Sequence, residues 1–489
     1  MRYLMNQNRI LTRRTVKYAW LLTLTALLAL LLNAPAVPAQ VMSGGNYKIT
    51  SSVQAGGGGA STGSGNRVIE GTAGETAAGG PHSNSTFSHD AGFWPTTLAS
   101  AAATPTPTPS ATPPPNTIQF NAPSYSVLEA LTATTVTVTR TGDTSGAASV
   151  DYSTIDGAAT QRADFEFAGG HLNFAPGETT RNIQLLINAN SYLKGNPSFS
   201  VALSYPVGAT LGPQSSTTVM ILDNSQFTTN PIDDPQSYVW MQYHDFLNRE
   251  PDQSGLAFWT NQITACGSDQ ACIDAARVNV SAAFLISIEF QETGYLVYRM
   301  YKAAYGNLPS APVPVRINEF LPDTQEISRG VVVNQPGWQQ VLENDKQAFT
   351  SDFVQRSRFT FAYVPSLTPA QFVDALFANA GVTPSATDRQ AAIDEFAGAV
   401  TSADTGARAR ALRRVAENTT LVQQEMNRAF VLMQYFGYLR RNPNDAPDTD
   451  YFGFNFWLQK LNQFNGNYIS AEMVKAFITS GEYRRRFGP

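Results

Sequence analysis

Between residues 117 and 225, apolar and polar positions alternate in short β-branched runs, "TTVTVTRTG", "ASVDYSTIDG", "HLNFAPGETTRNIQLLI", "SFSVALSY" and "STTVMILD", broken by Gly, Pro, Asn and Asp. A period of two turns one face of each run inward, so this pattern over about a hundred residues predicts an all-β sandwich. After Pro231 the period becomes helical, and one frame recurs: Val239, Tyr243, Leu247, Pro251; Val297, Tyr301, Tyr305, Pro309; Val431, Tyr435, Leu439, Pro443. Spacing of four places the first three on one helix face, and the Pro stops that helix or opens the next. Arg249, Asn307 and Arg441 stand two before the Pro, and "FVDALFANAGVTP" (372–384) is a looser copy. The copies close on "AAFLISIEF", "DFVQRSRF", "RRVAENTTL" and "KAFITSGEY". Units of roughly 60 residues predict an all-α repeat array. Its copies fall at 237–294, 295–360 (with an insertion near 312–336), 368–424 and 425–489.

Ahead of the sandwich the pattern weakens. Residues 40–102 are rich in Gly and Ser, with short alternating stretches such as "YKITSSV" and "NRVIEGTAG" that predict a small β segment. Its "GASTG" matches the hydrolase elbow Gly-x-Ser-x-Gly only formally, since that motif needs a strand before it and a helix after it. Residues 103–116, "ATPTPTPSATPPPN", predict an extended polyproline spacer. Residues 1–39 carry five positive charges and no acid, then the apolar run "AWLLTLTALLALLL" and the small-residue site "VPA". That is the layout of an export signal cleaved after Ala39, and "TRRTVK" loosely matches a twin-arginine signal.

Loss of those five charges takes the formal balance from −5 to −10. An acidic chain lacks the electrostatic footprint of nucleic-acid binding. The expectation is a secreted or cell-surface product with no membrane span after residue 40. The arginine clusters at 408–414 and 484–486 lie among acids and alanines at helical spacing and are expected on solvated helix faces. The two cysteines, Cys266 and Cys272 in "CGSDQAC", predict one disulfide in an oxidising compartment. A redox or metal dithiol would take a two-residue spacing or a nearby His.

The segments "YSVLE", "VDYSTIDGAATQRADFEF", "LNFAPGETTRNIQLLI", "SFSVALS" and "VMILDN" fall in the order of the Calx-β family, which residues 117–225 resemble. The resemblance implies a Greek-key-like sandwich whose best-known members bind calcium through acids in loops at one end. Glu129, Asp164 and Asp223 stand where the family has ligating acids. Elsewhere the pattern departs: Ala189, Asn190 and Ser191 replace an acidic run, Lys194 a glutamate, Asn196 and Pro197 an acid pair, and the final triplet is Asp223, Asn224, Ser225. Calcium takes six to eight oxygens, several from carboxylates, so the expectation is a degenerate site with weak affinity or none.

The helical half resembles a bacterial family of unknown function with the signature "Y…LGR.PD..G..YW", attached to secreted and surface-layer-associated proteins; "FLNREPDQSGLAFW" and "YLRRNPNDAPDTDYFGFNFW" carry it here. The acids of this motif do not fit an EF-hand loop; Asp252 is expected to cap the following helix while Trp259 packs inward. Of the four histidines, His82, His89, His171 and His244, none lies in a zinc-protease frame, and His244 beside Asp245 is expected to be an exposed helix residue. Together these readings predict a non-catalytic interaction or structural protein, meeting a protein or glycan partner at the cell envelope. A calcium-responsive adhesin or cell-communication protein and a carboxylate-based extracellular hydrolase are the alternatives.

Overall fold

The computed structural model describes residues 115–223, with Leu131 by its backbone alone, and 228–489, and within 42–89 the backbone of six short strands. The expected export signal, most of the proline-rich spacer, Asn224 and Ser225 lie outside the described residues. The six strands are β1 (Met42–Gly44), β2 (Tyr47–Ile49), β3 (Gly58–Gly63), β4 (Arg67–Thr72), β5 (His82–Asn84) and β6 (Phe87–His89). The first four form an antiparallel meander and the last two a hairpin.

The alternating runs form a sandwich from β7 (Thr117–Phe120), β8 (Ser124–Leu128), β9 (Ala133–Thr141), β10 (Ala148–Ile155), β11 (Gly169–Phe174), β12 (Thr180–Leu186), β13 (Ser198–Val207), β14 (Thr210–Leu211) and β15 (Ser216–Leu222). One sheet runs β11-β10-β13-β15-β8 and the other β12-β9-β7-β14. The β8–β15 and β7–β14 pairs are parallel and the rest antiparallel. Val136, Val150, Ile183, Val201 and Val219 fill the space between the sheets, because alternate side chains of each strand point inward. Phe165 stacks on Phe199 at the loop end, ring centroids 3.8 Å apart.

From Pro231 onward the described residues form helices. In each copy of the repeated frame, the residue nine positions after the first apolar one ends its helix with positive φ: Asn248 (51°), Gly306 (69°), Gly381 (70°) and Arg440 (52°). Such a residue lets the chain leave the helix while the last carbonyls find partners. Two of these positions hold residues other than glycine. In those copies the helix widens first, into the π-type segments Tyr243–Leu247 and Gln434–Leu439.

One expectation needs correction. The stretch Gln270–Glu292 is long and apolar enough to cross a membrane by length and composition. It breaks at Ser287, whose backbone is extended, into the helices Gln270–Ile286 and Ile288–Glu292. Val278, Val280, Ala282, Phe284 and Leu285 face the helical core, while Ile286 and Ile288 remain exposed.

The sandwich and the helices belong to one compact unit, 111–489. The chain's end reaches back to the sandwich: Ser191 N–H donates to the Phe487 carbonyl (2.8 Å) and the Tyr192 hydroxyl to the Arg485 carbonyl (3.0 Å). Gln325, on the helix Ile317–Ile327, accepts from Gly169 N–H (3.0 Å) and donates to the Phe167 carbonyl, continuing the edge of β11.

Candidate functional site

Glu129 opens a short turn after β8, Asp164 lies in the β10–β11 loop and Asp223 follows β15. The fold brings all three around a void of ≈ 10 Å³ that Asn190, Tyr192 and Lys194 also line. Lys194 Nζ lies 2.6 Å from Asp164 Oδ1, and Lys194 N–H donates to Asp223 Oδ2 at 3.0 Å. The other Asp164 oxygen accepts from Thr160 N–H (2.9 Å). Glu129 Oε1 accepts both the backbone N–H and the side-chain amide of Asn190, at 2.8 and 2.6 Å. Burial pushes the Glu129 carboxyl up to about 7, against the Asn190 hydrogen bond; the Asp223 and Asp164 charges add to the rise and Lys194 opposes it. Calcium would need several more oxygens and room for an ion. These residues do not fit it: an ammonium already pairs with one acid, and both Asn190 amide groups occupy one oxygen of a second, whose burial favours its neutral form. Among the described residues no group of three or more His, Cys, Asp or Glu is arranged to hold a metal ion.

The same loop end is where the sandwich meets the helices. Glu166, two residues beyond Asp164, is buried between Arg440 and Arg486: Arg440 Nε is 2.6 Å from Oε2 and Arg486 Nη2 is 2.8 Å from Oε1. Arg486 Nη1 reaches Asp245 Oδ1 at 2.9 Å, and Asn188 adds an amide bond to Glu166 at 2.7 Å. Burial disfavours an ionised Glu166, yet the two guanidinium charges hold its carboxyl below the usual range; burial pushes Asp245 the other way. The sequence pattern hid this cluster because its members are up to 320 residues apart.

Two expectations fail here. His244 is fully buried, with Nε2 2.8 Å from Glu250 Oε1 and Nδ1 3.5 Å from Asn188 Oδ1, so it is an interface residue. Arg408 and Arg486 are also buried. Arg408 donates to the carbonyls of Tyr363 and Val364, both at 2.9 Å. Arg410 and Arg414 do face outward, paired with Glu395.

The signature corners form a second constellation, twice over. Arg249 grips Glu289 through Nε and Nη2 (2.6 and 2.9 Å) above the Tyr243 ring. Arg441 grips Glu482 in the same way (2.7 and 3.1 Å) above Tyr435. Trp259 lies against Phe284 and Trp457 against Phe477, each pair 5.7 Å apart. In the second copy Asn307 replaces the arginine, and Arg358 stands where the glutamate would be. That substitution within the chain was the available signal for the Arg–Glu pairing. Asp252 caps its helix as expected, Oδ1 accepting from Gly255 N–H at 2.8 Å, and Trp259 is half-buried. Asp448 and Asp450 are spent on Arg441 and Phe452 N–H. Cys266 and Cys272 form a disulfide, Cα atoms 5.5 Å apart.

A nine-stranded sandwich with an acid-bearing loop end, continued by a helical domain built on Tyr–Arg–Glu corners, defines a two-module protein. Residues 114–225 match the Calx-beta domain family and residues 221–293 match a domain of unknown function, DUF4214. The sandwich is thus a Calx-beta domain, followed directly by a DUF4214 domain. The sodium/calcium exchanger Calx of Drosophila melanogaster is 26% identical over 242 residues, 45% of this chain and 25% of that protein. The extracellular matrix organizing protein FRAS1 of Mus musculus is 32% identical over 121 residues, 24% of this chain and 3% of that protein. The chain therefore spans a quarter or less of these curated relatives. Among solved structures, the apo-form Calx CBD1 domain is 31% identical; the match covers 23% of this chain and 99% of that one, with a TM-score of 0.22.

Proposed function

We propose that this chain is a non-catalytic interaction protein of the cell exterior, in which the Calx-beta sandwich works without calcium as a fixed platform for the helical domain. The Lys194–Asp164 pair carries this reading, because it puts a covalently tethered cation among the acids. The loops beside it, 162–166 and 188–192, are committed to the helical domain through Glu166, Asn188 and Ser191. A loop end used for docking is a poor sensor, since calcium-driven motion there would have to break buried ion pairs. The partner is a protein or glycan of the cell envelope, reached through the helical surface.

Thermal melting in chelator and in about 1 mM calcium tests the reading. A ligand at its dissociation constant adds only about 0.4 kcal/mol, so the melting temperature should move by less than ~1 °C. A shift of many degrees would make the calcium-responsive adhesin the better account.

A further inference from the structure

We propose that the signature corner of the first helical copy, closed by the segment inserted into the second, is a binding cleft for an uncharged saccharide chain. The cleft has a volume of ≈ 630 Å³, within the range of small-molecule sites. One wall is the corner itself, with Phe258, Trp259 and Ile288. Phe258 and Ile288 are 56% and 59% exposed, and the Phe258 and Trp259 rings meet edge to face at 4.9 Å. The other wall is Val333, Asn334 and Gln335, from the insertion that breaks the regular repeat length. The extra chain therefore converts a packing corner into a two-walled groove.

The lining chemistry selects the ligand. Arg249 and Glu289 neutralise each other, and Asp252 is engaged by Gly255 N–H and the Ser254 hydroxyl. Arg249 also lies 3.8 Å from Asp252, so each of the three ions in the cleft already has partners, and the formal balance of one negative charge disfavours an anionic ligand. The walls are helices and a turn, with no strand edge among the described residues to pair with an extended peptide. What remains is an aromatic and aliphatic platform facing two exposed amides. Aromatic faces pack on the C–H face of a pyranose, and amides exchange paired hydrogen bonds with vicinal hydroxyls.

The proposal rests on the reading of the chain as an interaction protein. A calcium-dependent melt would overturn that reading without touching this cleft, so the two fail separately. The full chain is titrated with cellohexaose, chitohexaose, xylohexaose and mannohexaose by calorimetry and tryptophan fluorescence. At least one should bind, and Phe258→Ala and Asn334→Gly should each weaken it about tenfold at unchanged melting temperature. Asn334 has φ 75°, so glycine removes the amide while keeping the backbone. Phe361→Ala, at an exposed ring outside the cleft, should leave binding intact. Absence of binding by all four at millimolar concentration, or binding indifferent to both cleft variants, overturns the proposal.

Discussion

The Lys194 ammonium lies 2.6 Å from Asp164 Oδ1, while its own backbone N–H holds Asp223. One residue thus links two of the three acids that the family's pattern would assign to an ion. Lys194→Glu reverses the charge and leaves the Asp164 carboxylate, almost fully buried, facing another acid. In chelator this variant should lose about 1–3 kcal/mol of stability. Millimolar calcium should restore part of the loss, since the variant regains a fourth carboxylate. Parallel melts of the wild type and the variant read the difference; a variant equally indifferent to calcium would show that Lys194 is not what excludes the ion.

Glu166 joins the two domains through charge. Removing its carboxylate leaves Arg440 and Arg486 buried with only Asp245 between them, a situation that costs about 3–5 kcal/mol. Glu166→Ala should therefore lower the denaturation midpoint. It should also split one unfolding transition into two, as the interface between the sandwich and the helices loses its buried ion pairs and keeps hydrogen bonds such as those of Ser191, Tyr192, Gln325 and Asn188. Chemical denaturation followed by both far-ultraviolet circular dichroism and tryptophan fluorescence would show whether the two signals separate.

Much of the sandwich was legible because alternation is a local property: Val136 and Val138, or Val150 and Tyr152, declare their face within one strand. Lys194 was legible too, as a cation standing where a carboxylate would be. His244 was not. Its neighbour Asp245 suggested an ordinary helix surface, while its burial depends on Asn188, 56 residues earlier and in the other domain. The Glu166 cluster escaped for the same reason, since buried charges are paired by tertiary approach and leave no period in the chain. The helix ends were half legible. Gly306 and Gly381 advertise a left-handed residue, whereas Asn248 and Arg440 adopt the same φ only because the surrounding corner holds them there.

Glu326 gives a pH signature. Burial, aided by the Asp352 and Asp323 charges and opposed by Arg356 and Arg329, pushes its carboxyl from an ordinary 4.5 up to about 7. The folded protein thus binds a proton that the unfolded chain releases between those two values. Stability should fall as pH rises from about 4.5 to 7, by an amount on the order of 1–3 kcal/mol from this group. Glu326→Gln should flatten that slope and be the more stable protein at pH 8. Urea midpoints measured at intervals from pH 4.5 to 8 would check both statements.

The Tyr243 hydroxyl and Gly255 approach so closely that a Cβ on Gly255 would lie 2.2 Å from the hydroxyl oxygen; Gly453 and Tyr435 repeat the arrangement at 2.7 Å. A phenol ring held against Phe284, 4.8 Å away, cannot swing aside without disturbing the corner. Gly255→Ala should therefore cost about 1–3 kcal/mol, the range for overpacking a filled site. Tyr243→Phe deletes the oxygen that causes the clash, so the double variant should recover most of the loss. That recovery would appear as a favourable coupling of roughly 0.5–3 kcal/mol in a double-mutant cycle. Additive losses would mean that the Asp252 carboxylate, 2.9 Å from the same added carbon, sets the limit instead of the tyrosine.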